Sequence, residues 1–131
     1  MDKNMVSTTK ATISFIIWEI IFEIIFGMII SFFSGILIMT IDNEVTANII
    51  MIIPKVIAQF LVIKFAIWNT LKKQTIESSN ENKLFINICI IFIAITLFSI
   101  IVSFNITNII GNLISLLPLL FVKKYIAKYN N

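Results

Sequence analysis

The sequence predicts an all-α integral membrane protein: four transmembrane helices set as two hairpins in parallel repeat, with both termini cytoplasmic. Composition carries the first part of this expectation. Of 131 residues, 59% are hydrophobic and only 13% charged, and the mean hydropathy is +1.02. No water-soluble core hides that much apolar surface. The apolar residues fall into runs long enough to cross about 30 Å of hydrocarbon as helices. The lysines then orient those runs, because they gather in the segments that share one side.

The first run, 11–41, is too long for a signal-peptide core and reads as a retained helix. A short polar turn, 42–44, leads into the second run, 45–71. The linker 72–83 holds Ser78, Ser79 and Asn80 and separates the two hairpins. The third run, 84–104, and the fourth, 106–122, are joined by a turn near Asn105 to Asn108. Residues 1–131 thus form a single membrane domain. Lys3 and Lys10 precede the first run, Lys72, Lys73 and Lys83 occupy the linker, and Lys123, Lys124 and Lys128 follow the fourth run. The turns 42–44 and 105–108 contain no lysine, which places the termini and the linker inside the cell.

The hairpins read as copies. Laying 45–65 over 105–125 without a gap pairs Asn48 with Asn108, Val62 with Val122, Lys64 with Lys124 and Phe65 with Tyr125. Such a duplication is related by an axis along the membrane normal.

Several chemistries are excluded. The chain has no His and a single cysteine, Cys89, so thiolate metal clusters, disulfide frameworks and His-dependent nucleophilic triads have no ligands or bases to use. The sequence calls for no cofactor or metal and no catalytic residue, and lipid rather than nucleic acid is the expected surrounding.

Ionisable groups within apolar runs are the candidate functional residues. Glu19 and Glu23 are four apart and share a helix face. Counted inward from Asp42, about 20 residues reach Phe22, which sets Glu23 at the inner boundary and Glu19 among the headgroups, with Lys64 at their level as a charge partner. Lys55 lies nine residues before Lys64, about 14 Å deeper, beyond what a lysine stem can snorkel. Gln59, one turn on, shares its face, and Pro54 frees a backbone carbonyl and permits a kink. Lys55 reads either as a buried structural pair or as a positive site in a cavity. Gly27, Ser31, Ser34 and Gly35, small residues at helical spacing, read as a close-packing face.

The segments Phe60, Leu61, Val62, Ile63, Lys64, Phe65, Ala66, Ile67, Trp68 and Leu117, Pro118, Leu119, Leu120, Phe121, Val122, Lys123, Lys124, Tyr125 end the second helix of each hairpin. With Ala47 and Asn48 before the first of them, they resemble the repeated Phe-rich basic pattern of the GtrA-like family of small four-helix membrane proteins. That resemblance implies an accessory role in moving a polyprenyl-phosphate-linked sugar across the membrane for cell-envelope glycosylation, beside a membrane glycosyltransferase. In that role Lys55, Gln59, Lys64 and Lys124 would bind the substrate. A homo-oligomer or a subunit of a larger complex is expected, since four helices seldom enclose a pathway alone. The alternative is a non-transporting interaction protein, such as a bacteriocin immunity protein or regulatory subunit, or a holin.

Overall fold

The computed structural model describes residues 3–130 and is built almost wholly of helix. Helix α1 spans Thr8–Thr40, α2 Glu44–Ile50, α3 Ile52–Leu71, α4 Glu81–Val102, α5 Ile106–Ile114 and α6 Val122–Tyr129, with short 3₁₀ turns at Ser78–Asn80 and Leu117–Phe121. Helix α1, the α2–α3 pair, α4 with its leading turn, and the stretch from α5 through α6 are each long and apolar enough to cross a membrane.

Local chemistry sets the ends. The Ser7 hydroxyl accepts from the Lys10 backbone N–H (3.2 Å), which starts α1 a turn earlier than the hydropathy alone suggests. Asn43 caps α2 by accepting from Thr46 N–H (3.2 Å), and Asn105 caps α5 by accepting from Asn108 N–H (2.8 Å). Both hairpin turns therefore close on an asparagine, whose side chain satisfies an amide that the helix leaves open.

The second and fourth spans are interrupted in the same way. Pro54 has no N–H for the Ile50 carbonyl, and its ring crowds that carbonyl, so the helix breaks at Met51. Pro118 does the same to Ile114, and the chain turns at Ser115 before tightening into the 3₁₀ segment. In each case the break falls three residues before the proline. Aligning the two prolines pairs Lys64 with Lys128 rather than with Lys124. The fourth span also runs on to Tyr129, past the expected end at Val122.

The buried core sits at the end of the molecule that carries the termini. It gathers Ala11 and Phe15 of α1, Ile63, Ala66, Ile67 and Leu71 of α3, Leu84, Ile88 and Phe92 of α4, and Val122 and Ile126 of α6. Phe15 meets Phe92 edge to face at 6.1 Å, and Phe60 meets Phe121 at 5.5 Å, so the two Phe-rich segments pack on each other. Asn87 donates to the Thr12 hydroxyl (3.1 Å), a polar tie between α4 and α1.

A clasp closes this end. Two-residue strands β1 (Asn4–Met5), before the first helix, and β2 (Gln74–Thr75), within the 72–83 linker, pair in parallel. Asn130, buried, accepts from Ile76 N–H (2.9 Å) and the Thr75 hydroxyl (2.8 Å) and donates to the Ile76 carbonyl (3.1 Å). The amino-terminal segment, the linker and the carboxyl-terminal segment are thus tied at one point.

Toward the opposite end the hairpins separate, and apolar side chains such as Met28, Phe32, Met39, Ile101 and Phe104 are left exposed. Gly27 and Gly35 belong to this splayed half, and among the described residues nothing lies within 4 Å of a Cβ built at either. The close packing expected at these glycines is therefore not made by the described residues.

Candidate functional site: a polar crevice between the hairpins

Separation of the hairpins opens a crevice of about 480 Å³. One wall comes from α1 (Glu23, Phe26, Gly27, Ile30) and from α2 and α3 (Asn48, Ile52, Lys55, Val56, Gln59), the other from α4 (Ser99, Ser103) and α5 (Thr107, Asn108, Gly111, Asn112, Ser115). It runs out to the α4–α5 turn at Asn105. A deeper compartment of about 270 Å³ shares Glu23, Gln59, Ser99, Asn112 and Ser115 with it and ends against Glu19, Thr96 and Phe92. Apolar on its outside, the bundle is polar along this one seam.

Each polar side chain is there for a local reason. Asn105, Asn108, Asn112 and Ser115 recur at three and four residues and so form one stripe of α5 and its end. Asn108 donates to the carbonyls of Ser99 (3.2 Å) and Ser103 (2.6 Å), which pins α5 to α4. Asn112 donates back to the Asn108 carbonyl (2.8 Å) and side-chain oxygen (3.0 Å), and the Ser115 hydroxyl donates to the Asn112 carbonyl (2.7 Å) where Pro118 ends the regular helix. Gly27 contributes space, since a larger side chain there would project into the crevice.

On the facing wall Lys55 is exposed to the crevice, and Gln59 follows one turn deeper. Glu23, Gln59 and Glu19 line the deeper compartment together. Glu19 is 7% exposed, sealed by the helices around it. The crevice thus carries a cation near its mouth and a pair of carboxyl groups toward its floor, joined by an amide.

Of the residues singled out from sequence, Lys55, Gln59 and Glu23 line the crevice, and Glu19 lines the compartment that adjoins it. Lys64 is half-buried on α3 and Lys124 is exposed on α6, and neither lines either compartment. The depth count that set Glu19 and Glu23 beside Lys64 fixes height along α1 but not direction around it. Direction is decided by the stripe Thr8, Ala11, Phe15, Glu19, which is the buried face of α1. Depth counting missed Ser99, Ser103, Asn112 and Ser115. The helical spacing of the asparagines in the α5 segment is the signal that marks that wall.

Amide and hydroxyl groups of this kind recognise hydroxyls, phosphates and amines by hydrogen bonding. Among the described residues no three His, Cys, Asp or Glu side chains gather as a metal site. The chain matches no protein-family model, and no match was found among curated proteins or solved structures. The resemblance to GtrA-like proteins therefore stands on the quoted residues alone.

Proposed function

We propose that this chain is a multi-pass membrane protein, with both termini on the cytoplasmic side, that takes up the head group of an anionic lipid and assists its passage across the bilayer. A polyprenyl-phosphate-linked sugar, delivered to or from a membrane glycosyltransferase, fits this reading. The observation that carries it is the polar crevice with Lys55 on its wall, cut between helices whose outer surfaces are apolar.

A lysine at mid-helix costs roughly 2.5–3.5 kcal/mol on insertion scales. A head group entering from the side, with its acyl chain left in lipid, would meet that cost with a charge-assisted hydrogen bond. The neutral amides of Asn48, Gln59, Asn108 and Asn112 suit the hydroxyls of a sugar. Lys64 and Lys124, outside the crevice, would attract phosphate at the cytoplasmic surface. A second copy or a partner subunit would close the open flank.

The test is transport by the full chain in liposomes with a fluorescent polyprenyl-phosphate sugar. Lys55→Met is expected to slow transbilayer movement about tenfold or more, the scale of one charge-assisted hydrogen bond. Movement as fast as wild type would remove Lys55 from the pathway and the reading with it.

A further inference from the structure

We infer that the crevice selects a head group bearing two opposite charges: a phosphate held at Lys55 and a primary amine held one helical turn deeper, at Glu23 and Glu19. This rests on the lipid-handling reading above and names the class of head group.

The crevice holds the Lys55 amine on its wall, and the compartment that continues it holds the carboxyl groups of Glu23 and Glu19. A ligand carrying only negative charge would satisfy Lys55 and then face two carboxyl groups. One carrying only positive charge would satisfy the carboxyl groups and face Lys55. A ligand without an amine gives the carboxyl groups no donor, and one without a phosphate gives Lys55 no acceptor, so either forgoes a charge-assisted hydrogen bond.

The two ends of such a head group would sit about one helical turn apart along α3. Lys55 and Gln59 are four residues apart, about 6 Å along α3, and Gln59 lines the deeper compartment together with Glu23 and Glu19. The flexible lysine stem adjusts the phosphate end, whereas Glu19, enclosed by α1, α3 and α4, fixes the amine end. An ammonium has three donors, enough for both carboxyl groups and the Gln59 carbonyl oxygen.

Two lipid classes carry this chemistry: a glycerophospholipid with a phosphoethanolamine head, and a polyprenyl phosphate bearing an amino sugar. Purified full-length protein in phosphatidylcholine nanodiscs would be offered phosphatidylethanolamine, phosphatidylglycerol, and polyprenyl-phosphate glucosamine with its N-acetylated form, and retained lipid read by native mass spectrometry. The wild type is expected to retain an amine-bearing lipid about tenfold over its amine-free counterpart, the scale of one charge-assisted hydrogen bond. Whichever of the two pairs shows the larger ratio identifies the source.

Glu23→Gln, which is isosteric, and separately Glu19→Gln should abolish that ratio while anionic lipids are still retained; Lys55→Met should release both kinds. Equal retention of amine-bearing and amine-free lipids by the wild type, or an unchanged ratio in both glutamine variants, overturns the inference and leaves the lipid reading standing. If no anionic lipid is retained over phosphatidylcholine and Lys55→Met has no effect, the lipid reading itself fails.

Discussion

Replacing Asn130 with alanine should open the clasp at the terminal end of the bundle without disturbing the spans. The side chain satisfies both the N–H and the C=O of Ile76, at 2.9 and 3.1 Å, and Ile76 is 2% exposed. Thr75 keeps a partner, since its hydroxyl also donates to the Asn130 backbone carbonyl (2.8 Å). The loss is therefore counted on the two groups of Ile76, at about 1–3 kcal/mol each for a buried group left unsatisfied. Water reaching the edge of the clasp moves the sum toward the low end, and about 2–3 kcal/mol is expected. Asn130→Asp keeps the acceptor but sets a carboxylate oxygen against the Ile76 carbonyl, so it should cost at least as much as alanine. Equilibrium unfolding in mixed micelles measures the free energy, and hydrogen exchange locates it. The amides of Val6 and Ile76 should exchange faster, because Val6 N–H donates to the Thr75 carbonyl (2.8 Å) on the same strand pair. Stability within about 0.5 kcal/mol of wild type, together with unchanged protection at Ile76, would refute the accounting.

Two further substitutions probe the splayed half. Asn108→Leu removes the tie from α5 to the Ser99 and Ser103 carbonyls and should cost about 0.6–1.7 kcal/mol, the range for polar contacts between membrane helices, with faster exchange in the α4–α5 turn. Gly35→Ala meets nothing within 4 Å and replaces a poor helix former by a good one, so stability should hold or rise by up to about 1 kcal/mol. A clear loss of stability on unfolding in mixed micelles would show that another helix packs there.

The spans were legible because they rest on length and hydropathy, quantities that add along the chain. The breaks were legible in part: Pro54 pointed to one, and Pro118 acts by the same missing donor. The clasp was not legible, since two paired residues carry no periodic pattern and Asn130 reaches Ile76 from the far end of the chain. Half of the crevice was visible as Lys55 with Gln59. The other half was not, because counting residues from Asp42 gives the height of Glu19 and Glu23 and nothing about their azimuth, so their place beside Gln59 stayed hidden.

By itself, then, the sequence determined that this chain has four helices suited to a membrane, joined by two short polar turns and one longer polar linker, with a kink permitted at Pro54. Only the tertiary structure decided that the glutamates of α1 turn toward Gln59 and Lys55, that Lys64 and Lys124 stay outside, and that the hairpins part to admit a polar seam. The physical reason is that α1 and α4 are apolar nearly all round, with almost no amphipathic asymmetry to set their rotation. Without a polar face turned to water, rotation is set by particular contacts such as Asn87 with Thr12, Phe15 with Phe92 and Asn108 with Ser99, and those exist only once the helices have met.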